Sequence, residues 1–200
     1  MASEGESLLQ VCLDNDIFIP NLCYIKTMQR PPASCRLCFV EINGADGPVT
    51  ACTTRVSKGM IVKTDTSRVR ELQRSNLRLL LSVHRVDCGN CPANKNCELQ
   101  NLAKFLKTGL KSKGLDKYLK DPEIVKNHPC LTYYPNRCVF CGKCVYMCAN
   151  NNHVPCLTFA KRGLDTVISF DTGGIASDLP CDRCRMCVDI CPVRAIVLNN

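Results

Sequence analysis

Eighteen of the 200 residues are cysteines, and fifteen of them fall at spacings that suit metal ligation. Cys23, Cys35, Cys38 and Cys52 form a C-x11-C-x2-C-x13-C group, and His84, Cys88, Cys91 and Cys97 form H-x3-C-x2-C-x5-C. Farther on, Cys138-x2-Cys141-x2-Cys144-x3-Cys148 recurs as Cys181-x2-Cys184-x2-Cys187-x3-Cys191, followed directly by Pro192. Thiols so arranged either pair as disulfides or hold metal, and disulfides persist only in oxidising compartments. The start of the chain argues against export. Met1 to Ser7 is polar and acidic, and the apolar run Leu8 to Leu13 is broken by Gln10 and followed by Asp14 and Asp16, so no signal-peptide core exists. No run approaches a membrane span. The expected protein is soluble, cytoplasmic and not inserted in a membrane, with reduced thiols available to metal.

The repeated run is the strongest signal, because it is almost letter for letter the bacterial ferredoxin run that binds two [4Fe-4S] clusters. In that arrangement the fourth cysteine of each run crosses over. The ligand sets become Cys138, Cys141, Cys144 and Cys191 for one cluster, and Cys148, Cys181, Cys184 and Cys187 for the other. Cys148 precedes Ala149 rather than proline, and 32 residues separate the runs, so an insertion lies between the halves. The first group suits a [2Fe-2S] rhombus; a four-cysteine zinc site is the alternative, which its long, unequal outer gaps fit poorly. In the second group a lone histidine near a helix end is more often a surface or core residue. Three cysteines at ligand spacing make His84 a ligand of a third [4Fe-4S] cluster, with zinc again the alternative. A neutral imidazole in place of a thiolate removes a negative charge and raises the reduction potential.

Cys12, Cys130 and Cys156 are left over and read as core or inert thiols, and His128 and His153 read as surface residues. Lys104 to Lys126 holds seven lysines, which read first as a solvated face and second as a dock for an acidic partner or compensation for cluster charge. The formal charge of +8 counts thiols as neutral. Fifteen ligand thiolates and four oxidised cores bring the loaded protein to about +1, which removes most of the support for a nucleic-acid partner.

Short elements must position these groups. Ser7 to Asp14 reads as a helix capped by Ser7. Pro31-Pro32-Ala33-Ser34 keeps the approach to Cys35 irregular. Phe39 to Ile42 reads as a strand, Asn43-Gly44 and Asp46-Gly47 as turns, and Val49 to Thr54 as a returning strand carrying Cys52. Asp65, Thr66 and Ser67 offer a cap to a helix whose apolar side is Val69, Leu72, Leu77, Leu79, Leu80 and Val83. Gly89 and Pro92 shape the loop of the second group. Between the ferredoxin-like runs, Thr158-Phe159-Ala160, Thr166 to Phe170 and Gly173-Gly174 read as strands and a turn. Trp is absent and aromatic residues are few, so the clusters are expected to supply much of the folding free energy.

The order of these motifs resembles the N-terminal iron-sulfur region of [FeFe]-hydrogenase large subunits and of NAD-dependent formate dehydrogenase catalytic subunits. Its first two modules also resemble the large iron-sulfur subunit of respiratory complex I. Ser34-Cys35-Arg36-Leu37-Cys38-Phe39-Val40-Glu41 and Cys88-Gly89-Asn90-Cys91-Pro92-Ala93-Asn94-Lys95-Asn96-Cys97-Glu98-Leu99-Gln100 carry the resemblance. It implies an α+β chain of three domains. Residues 1–63 would be a β-grasp, plant-type-ferredoxin-like [2Fe-2S] domain, without the hairpin that precedes its helix in the family. Residues 64–127 would be a small helical [4Fe-4S] domain with one histidine and three cysteine ligands. Residues 128–200 would be a bacterial-ferredoxin-like 2[4Fe-4S] domain.

No dinucleotide fingerprint, flavin motif or unassigned catalytic constellation stands outside the cysteine groups, which points to electron transfer rather than substrate conversion. The leading expectation is an electron-transfer subunit of a multisubunit oxidoreductase, electron-bifurcating types included. The resemblance implies a flavoprotein subunit that oxidises or reduces NAD(P)H as one partner, and ferredoxin or a separate catalytic subunit as the other. The alternatives are an N-terminal fragment of a hydrogenase or formate dehydrogenase, and a zinc-binding or redox-sensing regulator.

Overall fold

The structure, a computed structural model, describes residues 2–111, 114–151, 156–170 and 181–199. His153 and Gly173-Gly174 lie outside these residues. Helix α1 (Leu8–Asp14) packs Leu8, Leu9 and Cys12 onto a three-stranded antiparallel sheet of β1 (Phe39–Ile42), β2 (Val49–Thr50) and β3 (Val62–Lys63), in the order β2-β1-β3. The register pairs Phe39 with Thr50 and Glu41 with Lys63, and Val40 points into the core against α1.

Two expectations are corrected here. Ser7 occupies the N-cap position but makes no capping bond, and its hydroxyl is buried without a partner. The free N–H groups of α1 are satisfied instead by the segment that carries Cys52: Leu9 N–H donates to Ala51 O at 3.1 Å and Leu8 N–H to Thr54 O at 2.9 Å. The returning strand stops at Thr50 rather than running to Thr54. Thr53 and Thr54 both turn their hydroxyls back onto Thr50 O, at 3.1 and 3.0 Å, and lift Cys52 off the ladder.

Helix α2 (Ser67–Ser82) is capped by Thr66, whose hydroxyl accepts the Val69 N–H at 3.2 Å. Its buried line is Val69, Gln73, Leu77 and Leu81, one residue every four, whereas Leu79 is 57% exposed. Gln73 is buried because it links the helix to the first sheet, donating from Nε2 to Phe39 O at 3.1 Å and accepting from Arg70. Helix α3 (Glu98–Phe105) follows the second cysteine group and buries Leu99, Leu102 and Ala103.

In the last third, β4 (Leu131–Tyr133) pairs antiparallel with β7 (Ile196–Leu198), and β5 (Leu157–Ala160) with β6 (Val167–Phe170). Helix α4 (Lys143–Asn151) packs against α6 (Met186–Asp189), preceded by the single turn α5 (Cys181–Cys184). The turn between β5 and β6 falls at Gly163–Asp165. One apolar core serves α1 and its sheet. A second, larger one runs from Leu22 and Leu37 through α2 and α3 into β4, β6 and β7, so the middle and last thirds share an interior. No helix among the described residues is long and apolar enough to cross a membrane.

Candidate metal centres

The first group is buried at the inner end of the small sheet. Cys23 Sγ lies 3.4 Å from Cys35 Sγ, and the free, buried thiols of Cys38 and Cys52 interact through their side chains. The bond between them holds Cys23 below its usual range, while that bond, burial and the Cys23 charge push Cys35 up. Cys38 is raised and Cys52 lowered in the same way. The loop between Cys35 and Cys38 turns through Arg36 in the left-handed region at φ 53°.

His84, Cys88, Cys91 and Cys97 line one cavity of about 190 Å³. A 3-10 turn over Cys88–Asn90 brings Cys91 N–H to Cys88 O at 3.2 Å and folds the two thiols to one wall. His84 is buried, and its Nδ1 lies 2.9 Å from Arg137 O, so Nδ1–H donates to that carbonyl and Nε2 keeps its lone pair. Burial lowers the pKa of His84 and favours the neutral ring, the form that ligates metal. Arg137, Tyr134 and Val193 of the last third complete the wall.

Cys138, Cys141 and Cys144 line a third, apolar pocket together with Cys191. Pairing of β7 with β4 draws the end of the chain back beside Cys138. Phe140 N–H donates to Cys138 Sγ at 3.4 Å and Ala195 N–H to Cys191 Sγ at 3.2 Å. The Tyr133 hydroxyl accepts Ile168 N–H at 3.3 Å and bonds to the Cys138 sulfur. Burial pushes Cys138 up to about 11 and Cys141 up to about 12. Thiols this buried ionise only beside positive charge, which a metal supplies.

The fourth pocket is lined by Cys148, Cys181, Cys184 and Cys187, and by a fifth cysteine, Cys156. Burial pushes Cys187 up to about 12. Cys156 is not a solitary thiol, because β5 begins beside it and carries it to 3.7 Å from Cys148 Sγ and 3.8 Å from Cys181 Sγ. His128 is likewise not on the surface. It is 2% exposed, its ring 5.1 Å from that of Phe170 and tilted by 49°, with a ring nitrogen within 4.8 Å of the Cys156 and Cys181 sulfurs. The lysine-rich segment is only in part a solvated face. Lys104, Lys107, Lys111 and Lys126 are exposed, but Lys117 Nζ donates to Leu81 O at 2.7 Å. Lys120 Nζ is buried 4.5 Å over the Phe140 ring, where its charge lowers Cys138.

Residues 1–67 match the 2Fe-2S iron-sulfur cluster binding domain, and residues 73–109 match the NADH-ubiquinone oxidoreductase-G iron-sulfur binding region. Two successive segments of the chain are thus similar to iron-sulfur binding modules. Over 193 residues it is 34% identical to an NADH-quinone oxidoreductase subunit of Rhizobium meliloti, covering 96% of this chain and 22% of that protein. It is 33% identical over 205 residues to NADP-reducing hydrogenase subunit HndD of Solidesulfovibrio fructosivorans, covering 97% of this chain and 34% of that protein. The chain therefore spans about a fifth to a third of the length of these curated relatives. A chain in the crystal structure of an NAD+-reducing [NiFe]-hydrogenase in the H2-reduced state superposes with a TM-score of 0.85 at 27% identity, covering 100% of this chain and 83% of the other. Over nearly its whole length the chain is thus similar to parts of oxidoreductase and hydrogenase subunits.

Proposed function

We propose that the chain is the electron-transfer part of an NAD(P)H-linked oxidoreductase and holds one [2Fe-2S] and three [4Fe-4S] clusters. The observation that carries this reading is the convergence of sixteen cysteine and histidine side chains, drawn from distant segments, on four separate places in one small chain. Cys23, Cys35, Cys38 and Cys52 hold the [2Fe-2S] cluster in a β-grasp domain over residues 1–63. His84, Cys88, Cys91 and Cys97 hold a [4Fe-4S] cluster in the helical segment 64–127. Within 128–200, Cys138, Cys141, Cys144 and Cys191 hold one [4Fe-4S] cluster, and Cys148, Cys181, Cys184 and Cys187 hold the other.

When bound, each cluster takes up and releases one electron without bond rearrangement. The protein's own work is insulation and tuning. Burial of ten of the fifteen cysteines limits the access of water to the thiolates. The neutral His84 ring, held by Arg137 O, leaves its site one negative charge short of an all-cysteine site. Tyr133 and the Phe140 and Ala195 N–H groups donate to sulfur and favour the more negative, reduced state. A flavoprotein subunit handling NAD(P)H on one side and ferredoxin or a catalytic subunit on the other fit the relatives, and the place of action is cytoplasmic. Since the relatives are much longer, the same reading holds for this segment as the electron-entry region of a hydrogenase or formate dehydrogenase chain.

The test is iron and acid-labile sulfide per chain in anaerobically purified protein, with EPR after dithionite reduction. About 14 irons with both [2Fe-2S] and [4Fe-4S] signals are expected. Stoichiometric zinc with no labile sulfide would replace this reading with a structural or regulatory metal protein.

A further inference from the structure

Four irons take four protein ligands, yet five thiols surround the fourth site. Cys156 is buried between Cys148 and Cys181, with its sulfur 3.7 and 3.8 Å from theirs, and its backbone N–H already donates to Cys148 Sγ at 3.3 Å. A second observation concerns His128. Its Nδ1 accepts the Cys130 N–H at 3.1 Å, which places the ring proton on Nε2, and Nε2 is buried with no hydrogen-bond partner. A ring nitrogen of His128 lies within 4.8 Å of the sulfurs of both Cys156 and Cys181. An anionic sulfur is the acceptor this donor lacks.

We propose that Cys156 is an alternate ligand of the fourth cluster and exchanges with Cys148. The inference rests on the proposed function, which places a [4Fe-4S] cluster at this site. Cys148 is the partner in exchange because Cys181, Cys184 and Cys187 form one contiguous run, whereas Cys148 and Cys156 both come from the first half, eight residues apart. Either one completes the set and preserves the crossed connection between the halves. In the exchange the Cys148–iron bond breaks and a Cys156–iron bond forms, and the thiol proton of Cys156 passes to the released Cys148 sulfur. No electron is gained or lost. The His128 Nε2–H steadies the sulfur that bears the charge on the Cys156 side of the pocket.

The experiment compares Cys148→Ala, Cys156→Ala and the double variant, each purified anaerobically. Iron, labile sulfide and EPR are measured, with the other three centres as internal controls of folding. Each single variant is expected to keep the full iron content and a [4Fe-4S] signal at the fourth centre, with g-values that differ between the two. The double variant is expected to lose at least one iron from that centre alone. Loss in Cys148→Ala as complete as in the double variant would overturn the exchange, as would full iron in the double variant. If Cys148→Ala does not fold, Cys148→Val, which fills the side-chain space without offering iron a ligand atom, is read in the same way. Absence of the fourth centre from the unmodified protein would instead overturn the underlying four-cluster reading, and the exchange with it.

Discussion

Glu98 Oε2 and Lys143 Nζ stand 3.7 Å apart and join the start of α3 to the start of α4. The lysine side chain is 9% exposed and its carboxylate partner 49%, so the cation depends on this pair more than the anion does. Lys143 lies between Cys141 and Cys144, and its charge and backbone N–H both lower Cys141. The expected result of Glu98→Gln is a loss of about 1–2 kcal/mol, between exposed and buried pairs, read by denaturant unfolding of the loaded protein. Lys143→Met should lower the potential of the neighbouring cluster by an amount on the order of tens of millivolts. An unchanged potential would mean that solvent screens the lysine from the sulfurs.

His84→Cys adds a negative charge to the second site. Its cluster should assemble with full iron and show a potential lower by roughly 100 mV in an EPR-monitored titration, the other three being unmoved. His84→Ala should leave that site short of iron. Equal potentials for His84 and Cys at this position would show that the imidazole is not a ligand.

Tyr133→Phe removes the acceptor of Ile168 N–H and the donor to Cys138. The orphaned N–H should cost about 1–3 kcal/mol in chemical unfolding. The cluster held by Cys138 should become harder to reduce, because a hydrogen bond to sulfur stabilises the more negative state.

Removal of iron by a chelator under reducing conditions should unfold the last third before the first sheet. Nine buried or half-buried cysteine thiols from 138 to 191 stand in for apolar packing there, with Cys148 and Cys156 crowded against one another. Far-UV circular dichroism with limited proteolysis reads this order. Retention of the full helical signal in the metal-free chain would contradict it.

Much of the site was legible because its ligands are local. A tight loop brings Cys35 and Cys38 together, and so does a 3-10 turn for Cys88 and Cys91, and such spacing is visible without any tertiary information. The strand Phe39–Ile42 and the Thr66 cap were legible for the same reason, since alternation and capping act within a few residues. Other features are set by distant neighbours. Gln73 rather than Leu79 faces inward on α2, because the carbonyl of Phe39 waits there and an apolar side chain would leave it unmatched.

Cys156 and His128 have no spacing signal at all. Residue order by itself established four groups of closely spaced cysteines, one of them beside His84, because thiol number and short-range spacing are properties of the chain alone. Only the tertiary structure decided which thiols meet, that a fifth one joins the last site, and that Lys120 turns inward over Phe140. Those contacts depend on strand pairing and burial between segments far apart in sequence, which local chemistry does not encode.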